Sequence, residues 1–444
     1  MPDRPTYLVT ARSVRGLQQG SRALIDAAGI LLGVSADQAG QELARVLTID
    51  PLSEAGTKQL GIDPEGAIAV FSEATDPTIV VKLSDPAATQ AFFDQAKQRV
   101  KTSAIIIDGV EVTGAKIERD VSASWAIDHS MLWVHFSFGL DKTDDWFTPT
   151  HHPRGQSWKT GFASLRSFER GGLLGFIDTQ QMLAVIKAKA KEAATCIDSF
   201  HDIHLASFSI TAEGPAVGGK LAFDIGSRGA DLQSVLLPAP PGFTAIAKGA
   251  PIAAQWNLDL AAIQRFLTPC MQSVGAKPDK LMKMGVRAGR VIVKTLDPSG
   301  PSGTGVVSLD VANKAELVKY LDMIPHRSMF EGDETFAGQK GKRIKVPFVV
   351  TLDYILDDAR AIVAIGDNLM EQVLSGQSAA PPVAELAIDV DAMKPEAWSF
   401  VLEHATNEWF AKHALERLMR WQRGNIRVTV DQNQLVIDAA GTRK

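Results

Sequence analysis

TIVVKLSDPAATQAFFDQ, residues 78–95, decides how this chain is read. An apolar-alternating run ends at Asp85-Pro86, and a helical pattern starts there. Its outline returns downstream as GVVSLDVANKAELVKYLD, residues 305–322. Ile79, Val81 and Leu83 fall over Val307, Leu309 and Val311, while Val80 and Lys82 fall over Ser308 and Asp310. Alternation of period two predicts a strand with one buried face, here the face of 79, 81 and 83 and its counterpart. In the helix that follows, Asp85 is suited to the N-cap and Pro86 to the first helical position, with Asn313 as the corresponding cap. Asp85 therefore reads as a helix cap rather than an active-site carboxylate, because its counterpart Asn313 cannot serve as a general base.

The correspondence extends both ways. QLGIDPEGAIAVF (59–71) resembles KMGVRAGRVIV (283–293), and AIDHSMLWVHF (126–136) resembles ILDDARAIVAI (355–365), with Asp128 over Asp357 at a hairpin turn. A strand, a helix and a further hairpin then follow in each half, from GLLGFID (172–178) and from VAELAIDV (383–390). The expected fold class is α+β, internally duplicated, with antiparallel sheets packed against helices. The expected domains are 1–235 and 243–444, joined by a Pro-rich linker at 236–242, with a non-duplicated aromatic loop at 139–172.

Several short pieces resemble a family of bacterial extracytoplasmic proteins and lipoproteins known as a domain of unknown function. They are Pro-Thr-Tyr-Leu-Val near the start, the Gly61–Pro64 turn, the strand-Asp-Pro-Ala-helix unit at 79–96, and Asp-Gly-Val-Glu-Val at 108–112. The likeness covers most of the first half and is looser in the second. It implies duplicated α+β modules on the periplasmic or outer-envelope side of a membrane, with no established activity and no site residues to carry over. It also implies a lipid anchor, but MPDRPTYLV shows neither a signal segment nor a lipobox cysteine, so the cytoplasm is the alternative compartment.

Composition narrows the function classes. A net charge of -5 and 22% charged residues lack the basic surplus of a nucleic-acid binder. The basic cluster Lys340, Lys342, Arg343 and Lys345 reads as a solvated hairpin. No apolar run approaches the ~18 residues of a membrane span. Two cysteines, Cys196 and Cys270, fit two buried thiols better than a bridge.

The chain carries none of the common nucleophile, zincin, Walker or dinucleotide motifs, and the glycines of SGPSGTG (299–305) lack the lysine and the helix of a phosphate loop. Metal-ligand spacing is confined to His151 with His152 and to His201 with His204; His404 and His413 fall on opposite faces of a helix. Asp144-Asp145 and Asp357-Asp358 suit local backbone hydrogen bonds. No catalytic residue, cofactor or metal is assigned. The candidate ligand- or partner-binding residues are Trp146, Phe147, His151, His152 and Trp158 in the aromatic loop, with a small core under that loop as the competing role. The expectation is a non-catalytic envelope protein that binds a protein partner or an apolar ligand. The alternatives are a hydrolase or metal enzyme assembled from scattered His and Asp residues, and a structural assembly subunit.

Overall fold

The computed structural model describes residues 5–32, 36–47, 50, 53–73, 76–118, 121–138, 146–148, 172–189, 201–262, 285–297, 303–312, 314–321, 327–346, 350–376, 380–405 and 415–444. The chain divides into two compact units, Met1–Lys191 with Ile203–Asp224, and Glu192–Asp202 with Ile225–Lys444. Both are antiparallel sheets with helices, an α+β architecture.

The first unit contains β1 (Tyr7–Ala11), β2 (Ile68–Glu73), β3 (Asp76–Lys82), β4 (Thr102–Ile107), β5 (Val110–Glu118), β6 (Val121–Asp128), β7 (Met131–Ser137), β8 (Leu173–Asp178), β9 (Leu205–Glu213) and β10 (Ala216–Asp224). They lie in the order β10-β9-β8-β1-β2-β3-β7-β6-β5-β4, every neighbour antiparallel. The first strand in the chain thus lies inside the sheet, between β2 and β8. Helices α1 (Val14–Leu32), α2 (Ala36–Leu47), α3 (Glu54–Gln59), α4 (Pro86–Lys97) and α5 (Thr179–Lys189) complete the described elements of this unit.

The opening stretch folds as its local chemistry demands. Asp85 Oδ1 accepts the Ala88 N–H at 3.1 Å, and Pro86 begins α4. A cap of this kind is worth about 1 kcal/mol. Across the sheet face bearing Val81 and Leu83, Phe93 of α4 stacks on Trp125 at 4.7 Å and 14°. Val14, Ala115 and Leu132 close the same cluster.

The second unit contains β11 (Ile252–Trp256), β12 (Val286–Leu296), β13 (Gly303–Val311), β14 (Glu331–Phe336), β15 (Gln339–Val346), β16 (Val350–Leu356), β17 (Arg360–Ile365), β18 (Ala384–Asp389), β19 (Trp421–Asp431) and β20 (Gln434–Arg443). Their order is β20-β19-β18-β11-β12-β13-β17-β16-β15-β14, again antiparallel throughout. Each strand holds the place of the strand ten earlier in chain order. The helices are α6 (Arg228–Ser234), α7 (Phe243–Ala247), α8 (Lys314–Leu321), α9 (Arg327–Phe330), α10 (Leu369–Leu374) and α11 (Pro395–Ala405).

Two expectations need correction here. The face of β13 carrying Val307 and Leu309 is the less covered one, with Val307 exposed. Val306, Ser308 and Asp310 are buried instead, because α7 and α10 bring Phe243, Ile246, Met370 and Val373 onto that side. The segment expected as a linker lies within the second unit. Leu236 bridges Leu258, the Leu237 N–H donates to Asn257 O at 2.8 Å, and the Gly242 N–H donates to Val373 O at 2.9 Å. A Cβ at Gly242 would stand 1.8 Å from Gln372 O, so only glycine permits this approach. Asn313, Pro325 and the tip at 298–302 lie outside the described residues. Among those described, no helix is long and apolar enough to cross a membrane.

Candidate functional site

In the first unit, Thr78 of β3 pairs with His135 of β7, which pairs with Ser124 of β6. Residues directly opposite in an antiparallel ladder share a face, so these three side chains form a polar row. One row along that face, Val80, Trp133, Ala126 and Val112 form an apolar one. Such a surface gains free energy when apolar groups cover it.

Trp146 and Phe147 provide that cover. The Trp146 indole lies flat on the His135 ring, with centroids 5.0 Å apart and planes at 8°, and its Nε1–H donates to Ser124 Oγ at 3.1 Å. Phe147 meets Trp133 edge-on at 6.0 Å and Trp146 at 5.4 Å. With Val112 and Ala126 they form a small core in which Phe147 is 0% exposed. These two residues, expected as anchors for a ligand or partner, are buried against their own sheet. Aromatic rings with one polar handle fit a face that is half apolar and half hydroxyl.

The polar row has its own electrostatics. Thr78 Oγ1 and His135 Nδ1 are 2.9 Å apart. Burial pushes the His135 imidazole below its ordinary pKa, against a smaller upward pull from Asp76. Asp76 is engaged in turn, accepting from Ser137 Oγ at 3.1 Å and from the Phe138 N–H at 3.3 Å. Tyr7 is pushed above its usual range chiefly by burial; the Ser72 hydroxyl works against this, and Asp76 adds to it. The site therefore offers a neutral imidazole, three hydroxyls at Thr78, Ser124 and Ser137, and an aromatic lid over an apolar wall. That chemistry suits holding an amphipathic group.

The remaining sequence candidates are dispersed. His151, His152 and Trp158 lie outside the described residues, as do Asp144, Asp145, Cys196, Cys270 and His413. His201 Nε2 lies 2.9 Å from Asp202 Oδ1, and Asp202 also pairs with Arg228. His204 contributes its backbone N–H to Asp224 O. Asp357 accepts from the Ala359 and Arg360 N–H groups at 2.8 and 2.6 Å, a turn role. Among the described residues, no three His, Cys, Asp or Glu side chains gather at metal-binding spacing. Two members of the basic hairpin hold structural pairs: Lys342 bonds Glu331, and Arg343 grips Asp353 with two bonds of 2.6 and 2.9 Å.

One network in the second unit escaped the sequence reading. Arg290, 0% exposed, donates to Asn257 Oδ1 at 2.7 Å, to Asp310 Oδ2 at 2.5 Å and to Leu237 O at 3.0 Å. Arg360 donates to Asp310 Oδ1 at 2.7 Å and to Pro238 O at 2.7 Å. Asn257 continues the chain to Gln255, and Gln255 to Glu385. Two guanidinium groups thus tie the Pro-rich segment to the sheet. The available signal was Arg287 and Arg290 in VRAGRVIV and a lone Asp in VVSLDV, charged residues inside largely apolar strands.

No family model matches the chain, and no curated protein is similar enough to count as a relative. Among solved structures, it is similar to three crystal forms of TP0453. Form III is 10% identical, covering 53% of this chain and 84% of that one, with a TM-score of 0.29. Form I is 10% identical over 51% and 77%, with a TM-score of 0.29. Form IV is 8% identical over 53% and 82%, also with a TM-score of 0.29.

Proposed function

We propose that this chain is a non-catalytic protein of the bacterial envelope that binds an apolar ligand or a protein partner, built by duplication of one sheet-and-helix module. The observation that carries the binding reading is the seat under Trp146 and Phe147. The opposite face of the same strands is closed by a whole helix, α4. Among the described residues this face is closed by the short piece 146–148 alone. An apolar wall beside a polar row suits a ligand with an apolar body and a polar head, entering where the indole now lies. The identical strand order of the two units supports duplication, and the short motifs at 61–64, 79–96 and 108–112 support the envelope location. Arg290, Arg360, Lys342 and Arg343 of the second unit are held in structural pairs, which favours binding over acid–base chemistry at those groups.

The test is titration of the purified chain with an apolar fluorescent probe, alongside Trp146→Ala and Phe147→Ala, with near-ultraviolet circular dichroism as the check on folding. Removing the built-in competitor should tighten saturable binding at least about tenfold. Weak, non-saturable binding that is unchanged in folded variants would defeat the ligand reading. Mass spectrometry of lipid co-purified with the wild type separates a ligand binder from a purely structural subunit.

A further inference from the structure

The two units end their sheets very differently at corresponding places. The outer strand of the second unit is β14, EGDETF, with Glu331, Asp333 and Glu334 along the rim and the Asp333 side chain 94% exposed. Charged side chains along an outer strand are one way proteins keep open sheet edges apart. In the first unit the outer strand is β4, TSAIII, which carries no charge between Thr102 and Ile107. Among the described residues it pairs with β5 alone. Ser103, Ala104, Ile105 and Ile106 are all exposed, Ile106 to 78%. An uncharged, β-branched outer strand with open backbone groups is a template for another strand.

We infer that β4 is a docking edge for a second copy of this chain, with β4 meeting β4 antiparallel about a two-fold axis at Ile105. Charge complementarity selects the partner and the direction. Lys101 stands at the entry of β4, with Lys116 beside it on β5, while Asp108 stands at the exit. Parallel pairing would set Lys101 against Lys101 and Asp108 against Asp108. Antiparallel pairing brings each basic entry to the other copy's acidic exit, at both ends of the interface. A two-fold axis makes one residue face itself. With Ile105 at the axis, Ile105 meets Ile105 on one face, and the exposed Ile106 covers Ala104 of the other copy on the opposite face. Large then sits against small, and each copy's Thr102 falls opposite the other's Asp108, in the row next to Lys101.

Sedimentation equilibrium of the full chain over a concentration series tests this directly. The expected result is a monomer–dimer equilibrium, with a dissociation constant raised at least about tenfold by Ile106→Lys and several-fold by Lys101→Glu. Ile106 is exposed in the single chain, so its replacement leaves the fold intact. Adding Asp108→Lys to Lys101→Glu restores the dimer, a rescue that general damage would not produce. Ile105→Cys forms an interchain disulfide mapped by peptide mass spectrometry to position 105 of both copies, since directly opposite residues lie within disulfide reach. A chain that stays monomeric across the series overturns the inference, including one that instead captures a different protein. So does a dimer indifferent to both Ile106→Lys and Lys101→Glu.

Discussion

Asp310→Ala tests the central electrostatic feature of the second unit. The substitution removes the 2.5 Å bond from Arg290 and the 2.7 Å bond from Arg360. Arg360 is 22% exposed at its side chain and can turn to water, but Arg290 has no exposed surface. The cost is therefore that of leaving one buried guanidinium without its counter-ion, about 3–5 kcal/mol. Removing both charges together, as in Arg290→Met with Asp310→Leu, should recover at least about half of that loss, because replacing a whole buried pair is often close to neutral. The exposed pair of Lys444 with Asp391 at 2.8 Å supplies the contrast, and Asp391→Ala should cost under about 1 kcal/mol. Urea unfolding followed by hydrogen-exchange mass spectrometry on β12, β13 and β17 reads the second unit separately. The reasoning is refuted if Asp310→Ala costs no more than Asp391→Ala, or if the double replacement is worse than the single one.

Two further outcomes follow from the geometry. His135 titrates below its ordinary pKa of 6.5 when folded, so its contribution to stability is full above 6.5 and is lost as pH falls through the lower, folded value. Denaturation midpoints of the first unit should accordingly drop on acidification below 6.5, and His135→Gln should flatten that slope; an unchanged slope counts against the buried neutral imidazole. Gly289→Ala would place a Cβ 2.2 Å from the Trp256 ring, and the forced shift should cost about 1–3 kcal/mol in thermal or urea unfolding, whereas ready tolerance would show that the ring moves freely.

What the sequence reveals about this molecule depends on the range of the interaction concerned. The cap at Asp85 and the turn at Asp357 are local, formed with residues two or three positions away, so residue type and spacing suffice to read them. The strand-helix-hairpin pattern was legible for the same reason. The buried side of β13 was not, because Asp310 looks solvent-facing until Arg290 and Arg360 are brought across the sheet to meet it. Polar atoms inside an apolar strand gain their meaning from partners 20 and 50 residues away. Trp146 and Phe147 show a third case. Their aromatic character marked the segment as a contact region, but only the register of β3, β7 and β6 reveals that the contact is with their own sheet.

The interior position of β1 has a consequence for how this chain is made. Tyr7 pairs with Ser72 on one side and with Ile177 on the other, so its second partner is translated 170 residues after it. At roughly 5–20 residues per second that delay is on the order of 10–30 s. Throughout that time the growing half-sheet ends in a bare row of Tyr-Leu-Val-Thr-Ala, an apolar margin that any neighbouring nascent chain can join. The second unit repeats the exposure, since Trp256 waits 128 residues for Ala384. Slowed translation near residues 178 and 389 should therefore lengthen the hazard, and the yield of soluble protein should depend on elongation speed more than on the stability of the finished fold.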